Sequence, residues 1–175
     1  VYGAGLNLKL GAILRVSESL KLGAALHSPT TYSIEETYST TITTHFAGSS
    51  ITESSLPNYF EYDLITPWKA ILSASTVVKK NILLSADYEL VDYSFSNMHS
   101  RDYSFTDENN RIQELYTKTS NIRLGAEMNV KPVVIRAGYS KYGSALASQD
   151  FSKENYSFGL GINNGGYYFD ASYVL

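Results

Sequence analysis

His27, His45 and His99 are the side chains best suited to hold a metal ion, and none stands at ligand spacing from a second histidine or a cysteine. The run His99-Ser100-Arg101-Asp102 brings together the residue types of a hydrolytic relay. A relay draws its members from different elements within hydrogen-bond reach, so four neighbours in one polar segment read as solvated side chains. Asp107-Glu108-Asn109-Asn110 lacks the alternating ligands of a calcium loop, and the glycines stand singly rather than in a phosphate-cradling run. The absence of cysteine removes disulfides, thiolate metal sites and cysteine nucleophiles. These residues predict no catalytic site, no metal and no cofactor, which leaves binding chemistry. An anionic amphiphile needs an apolar trough with a cation at one end. Lys69, Arg123 and Arg136 are the candidate head-group contacts, and Phe46, Tyr59, Phe60 and Tyr62, around segment 33–57, are the candidate guides for its chain. The structural alternative pairs each cation with Asp87, Glu89 or Glu127.

The elements that position these residues are strands. Side chains alternate with period two along most of the chain, and helical periodicity is scarce. Leu6, Leu8, Leu10, Ala12, Leu14 and Val16 share one face, opposite Asn7, Lys9, Gly11, Ile13 and Arg15. The same pattern returns over 20–27, 68–76, 82–89, 121–130, 133–140, 156–162 and 167–175, which predicts about eight strands. Connections near 17–19, 79–81, 130–132 and 163–166 are short, the last being Asn163-Asn164-Gly165-Gly166, which turns readily. Those near 33–57, 99–118 and 144–153 are long and polar, with room for a helical turn in 107–118. Short turns on one rim and long loops on the other are the asymmetry of a transmembrane barrel.

Composition agrees with that reading. Charged residues make up 18% and hydrophobic residues 43%, and fifteen tyrosines outnumber seven phenylalanines and one tryptophan, as suits an interface between two solvents. The net charge of -3 gives no basic footprint for nucleic acid. The apolar runs are too short for a membrane-spanning helix, so a membrane location requires a barrel. The faces opposite the apolar ones mix charge with Gly, Ala and Ser, as in Arg123, Gly125 and Glu127, and suit a polar lumen. A tight turn at 130–132 sets Glu127 opposite Arg136, and one at 79–81 sets Asp87 near Ser73. Trp68, Tyr32, Tyr59, Tyr62, Tyr88 and Tyr93, toward the long-loop ends, fit an aromatic girdle.

Several phrases, in order, resemble the FadL/OmpP1/TodX-like outer-membrane protein transport family, in its Bacteroidetes form. They are Gly5 to Arg15, His27-Ser28-Pro29-Thr30-Thr31-Tyr32, Thr66-Pro67-Trp68-Lys69, Ala86 to Ser94, Arg123-Leu124-Gly125-Ala126-Glu127 and Arg136-Ala137-Gly138-Tyr139. The resemblance implies an all-β, antiparallel, up-and-down transmembrane β-barrel in the bacterial outer membrane. It also implies passive uptake of hydrophobic compounds such as long-chain fatty acids, with those compounds and membrane lipid as partners. Residues 1–175 would be one domain, the later wall of a larger barrel, without the family's N-terminal plug and early strands. The family's lateral-opening residues match no position here. Some members carry a hemin-receptor label, for which His27 or His45 would be the axial ligand. Two rival architectures fit the alternation: a small structural or adhesive barrel of the OmpA or OmpX sort, and a soluble lipid-carrier barrel.

Overall fold

The computed structural model describes residues 1–175. In chain order the first strands are β1 (Tyr2–Leu6), β2 (Lys9–Arg15), β3 (Leu20–His27), β4 (Thr31–Tyr38), β5 (Thr41–Phe46), β6 (Ser49–Ser54) and β7 (Asn58–Ile65). Then come β8 (Lys69–Val78), β9 (Ile82–Asp92), a 3-10 turn (Tyr93–Phe95), β10 (Asn97–His99), helix α1 (Thr106–Leu115), β11 (Lys118–Val130), β12 (Val133–Tyr142), β13 (Lys153–Asn163) and β14 (Tyr168–Val174).

Eight of these strands form one antiparallel sheet in the order β14-β13-β12-β11-β9-β8-β3-β2. They are the eight strands that the alternation predicts, each beside its successor. The registers place Glu127 opposite Arg136 and Ser73 opposite Asp87, as the short turns require. The sheet is open, with β2 and β14 at its edges. Strands β8, β9, β12 and β13 hold 10, 11, 10 and 11 residues. A tilted strand needs about 9–11 residues to cross a bilayer.

The long connections depart from expectation. Segment 33–57, read as a polar loop, contains β5, β6 and most of β4, while β7 follows directly, and 99–118 contains α1. Strands β1, β4, β7 and β10 make a second sheet above the first. The run Leu6–Val16, expected as one strand, divides at Asn7 and Leu8. Similar breaks separate β3 from β4, β7 from β8 and β9 from β10, all at one height. Pro29 and Pro67 explain two of them, because proline has no N–H to give the ladder. Side chains bridge this seam: Leu8 N donates to Ser28 Oγ (2.8 Å), Thr30 N to Thr66 Oγ1 (2.9 Å) and Asn7 Nδ2 to Thr30 Oγ1 (3.0 Å).

The large sheet is packed inside out. Leu8, Leu72 and Leu160 are 61%, 60% and 62% exposed, and Leu22, Leu124 and Ile135 also lie open on the apolar face. The few buried side chains include Glu89 and Asn121, 8% and 7% exposed, on the opposite face. The accessible surface is 13092 Å². A water-soluble protein of this mass exposes about 8,500 Å². Large apolar side chains that no part of the chain covers contribute to that excess.

Candidate functional site

The polar face carries three groups of side chains. The first is a basic rung just below the seam, where the register sets Lys9 opposite His27 and His27 opposite Lys69. Neighbouring strands lie about 4.8 Å apart, so these three groups share a width of roughly 10 Å. Carboxylates salt-bridge Arg123, Arg136 and Lys141 but none of these three. The rung therefore holds two ammonium groups without a carboxylate partner, with an imidazole between them.

The second group centres on buried Glu89. It accepts from Asn121 Nδ2 at 2.6 Å and from Arg123 Nη2 at 3.4 Å. Asn121 Oδ1 in turn accepts from Gly143 N at 3.2 Å, and the Arg123 guanidinium lies 5.5 Å from the Tyr142 ring centre. Arg123 is therefore neutralised within the wall. Arg136 is too: its Nε donates to Glu127 Oε2 at 2.7 Å and its Nη1 to Asp170. To reach Asp170 on β14 the side chain crosses β13 at Gly159 and Gly161. A Cβ at Gly161 would meet Asp170 Oδ1 and come within 3.2 Å of Arg136 Nη1. Around this pair lies a concavity of about 690 Å³ lined with Ser85, Ser157 and Ser172.

The third group stands above the seam. Phe60 and Tyr62, alternate residues of β7, meet Tyr103 and Phe105 from the segment leading into α1. Ring centres lie 5.6 Å apart for Phe60 and Tyr62, 5.9 Å for Tyr62 and Phe105, and 4.9 Å, edge to face, for Tyr103 and Phe105. Asn109 fastens α1 to β10, its Oδ1 accepting from Met98 N (2.8 Å) and its Nδ2 donating to Met98 O (2.9 Å). Tyr62 donates its hydroxyl to Glu36 (2.9 Å) and Tyr103 to Glu108 (2.7 Å). Each carboxylate raises the pKa of its tyrosine by holding the phenol proton.

The seven candidate residues thus separate. Lys69 joins the rung, Arg123 and Arg136 join pairs, and Phe60 and Tyr62 join the aromatic cluster. Tyr59 faces the other side of β7, and Phe46 ends β5 in a hairpin that pairs only with itself. Of the expected girdle, Trp68 stands exposed at the seam and Tyr88 on the apolar face, whereas Tyr62 turns into the cluster. Lys9, Tyr103 and Phe105 lie outside the sequence-based set of candidates, and His27 enters it only as a hemin ligand, not as a head-group contact. The short turn at 17–19 already sets Lys9 opposite His27, and Tyr103-Ser104-Phe105 repeats the spacing of Phe60-Glu61-Tyr62.

No protein-family model and no curated protein matches the chain. Solved structures do. The chain is similar to the CymD monoaromatic hydrocarbon channel, with a TM-score of 0.59 and 15% identity, covering 95% of this chain and 45% of that one. It is also similar to a Pseudomonas aeruginosa FadL homologue, with a TM-score of 0.51 and 12% identity, covering 98% and 59%. The chain therefore spans about half the length of these proteins. The likeness shows the fold, an antiparallel β-barrel wall shared with part of each of these two proteins.

Proposed function

We propose that this chain is wall of an outer-membrane channel for passive entry of hydrophobic compounds, long-chain fatty acids among them. One observation carries the reading: a sheet whose apolar side chains are turned outward and uncovered, while its charged and hydroxyl side chains line the concave side. Hydrocarbon is the solvent that makes this arrangement stable. The fold shared with a hydrocarbon channel supports passage rather than a filled structural barrel.

In this reading the aromatic cluster meets the compound at the outer end. The Lys9, His27 and Lys69 rung, lacking any carboxylate of its own, then receives an acidic head group. Arg123 and Arg136 hold strands together and do not touch the ligand. Phe46 and Tyr59 stand apart from the route.

The test is uptake by liposomes containing the full-length protein, with a long-chain fatty acid and a neutral monoaromatic hydrocarbon compared. The protein accelerates entry of both. Lys9→Gln with Lys69→Gln slows the acid several-fold and leaves the hydrocarbon unchanged, whereas Arg136→Gln alters neither ratio. Entry no faster than through empty liposomes overturns the channel reading. Recovery of the full-length protein in the aqueous phase without detergent overturns the membrane reading as well.

A further inference from the structure

The rim formed by the short turns has a charge of its own. The turn 79–81 lies beside the turn 131–132, joined by Asn129 N donating to Asn81 O at 2.8 Å. On its other side Val77 N donates to Ser19 O at 2.9 Å, which brings in the turn between β2 and β3. Five cations collect along this line: Arg15, Lys21, Lys79, Lys80 and Lys131. Glu18 is the one acid in these turns, and nearby Glu127 and Asp170 are already taken by Arg136. None of the five cations forms a salt bridge. The register sets Arg15 directly opposite Lys21, a repulsive pair on the polar face, which leaves Lys79, Lys80 and Lys131 as the cations of the turns themselves.

Backbone geometry adds a second observation. Lys79 and Lys80 have φ of 51° and 64°, left-handed values that residues with a Cβ adopt at a cost. Asparagine and glycine make such a turn freely, and the chain uses them at Asn163–Gly166, where Gly165 has φ of 79°. At 79–80 two lysines occupy strained positions in the turn that ends β8 and begins β9.

We propose that this rim is a docking surface for anionic phospholipid head groups of the leaflet it abuts. The proposal rests on the membrane reading given above. Each phosphate supplies the negative charge that the rim lacks, and lysine stems lie along the acyl region while their ammonium groups reach the head-group layer.

The test is reconstitution of the full-length protein in mixed phosphatidylethanolamine and phosphatidylglycerol vesicles, followed by gentle extraction and measurement of the retained lipid. Retained phosphatidylglycerol should exceed its bulk share several-fold at low salt, and the excess should fall away in high salt. The variant Lys79→Asn, Lys80→Gly, Lys131→Gln should return to the bulk share. Its thermal midpoint should be unchanged or raised, since Asn-Gly relieves the turn, so lost lipid cannot be blamed on lost structure. Enrichment equal in both proteins, or no enrichment in the unaltered protein, overturns the docking surface while leaving the membrane reading intact. Protein that retains no lipid of either kind overturns both.

Discussion

Asn121 is one of the few buried polar side chains of the wall, and its two ends act on different elements. The amide nitrogen satisfies buried Glu89 on β9, and the amide oxygen holds Gly143 beyond β12. Asn121→Ala removes both bonds and leaves Glu89 to Arg123 alone. A buried acceptor left short of a donor costs about 1–3 kcal/mol, which should appear as a lower denaturant midpoint of the reconstituted protein. A midpoint unchanged from the parent would mean that water replaces the amide. The two hydroxyl-to-carboxylate bonds of the outer cluster set a pH limit. Because Tyr62 and Tyr103 are both raised, their contribution is intact below the ordinary tyrosine value near 10 and is lost as pH climbs through the higher folded values. Absorbance titration should show two late-ionising tyrosines, and Glu36→Gln or Glu108→Gln should each bring one back toward the ordinary range. Two normal titrations in the parent protein would remove the carboxylates as the cause.

Among the elements, the eight wall strands are legible because one face meets an apolar solvent and the other does not, and that contrast repeats at every second residue. Strands β4 to β7 are harder to read because both their faces meet water or loop. In β5 and β6 hydroxyls face hydroxyls, as in Thr41 with Ser54 (2.8 Å) and Thr43 with Thr52 (3.0 Å), so no apolar rhythm marks them. The pairing of β3 with β8 spans the whole of 28–68, which is why the rung's third member, Lys69, cannot be aligned from turn lengths alone. The β5–β6 hairpin closes on itself at its base, where Ser55 N donates to Thr40 O at 2.8 Å. It pairs with no other strand. Replacing residues 41–54 by a two-residue Asn-Gly turn should therefore leave the heat-modifiable gel shift and strand content of the full-length protein unchanged. Loss of the folded band in that deletion would show that the hairpin supports the wall.

For the molecule as a whole, the decisive quantity is which solvent touches the apolar face. Trp68 is the sole tryptophan and stands exposed at the seam, one residue before β8 enters the wall. In full-length protein with any tryptophan outside these residues replaced by phenylalanine, its fluorescence therefore reports depth without labelling. Brominated lipids should quench it most when the bromines sit shallow in the acyl chains, and progressively less as they move toward the bilayer centre. Uniformly absent quenching would contradict a bilayer around this face. The long-loop side carries most of the carboxylates and the short-turn rim carries five cations against Glu18, so charge is separated along the barrel axis. This polarity is readable from the order of residues once the turns are sorted into two rims, whereas which charges are spent in pairs needs the registers.

The seam across four strands has one more effect. Proline and side-chain bonds stand there in place of an unbroken ladder, so disorder starting in the crown meets a firebreak before it reaches the bilayer. Heat, denaturant or insertions applied to the outer sheet should be absorbed locally, and the part of the chain that keeps the membrane sealed is insulated from the part that is free to vary.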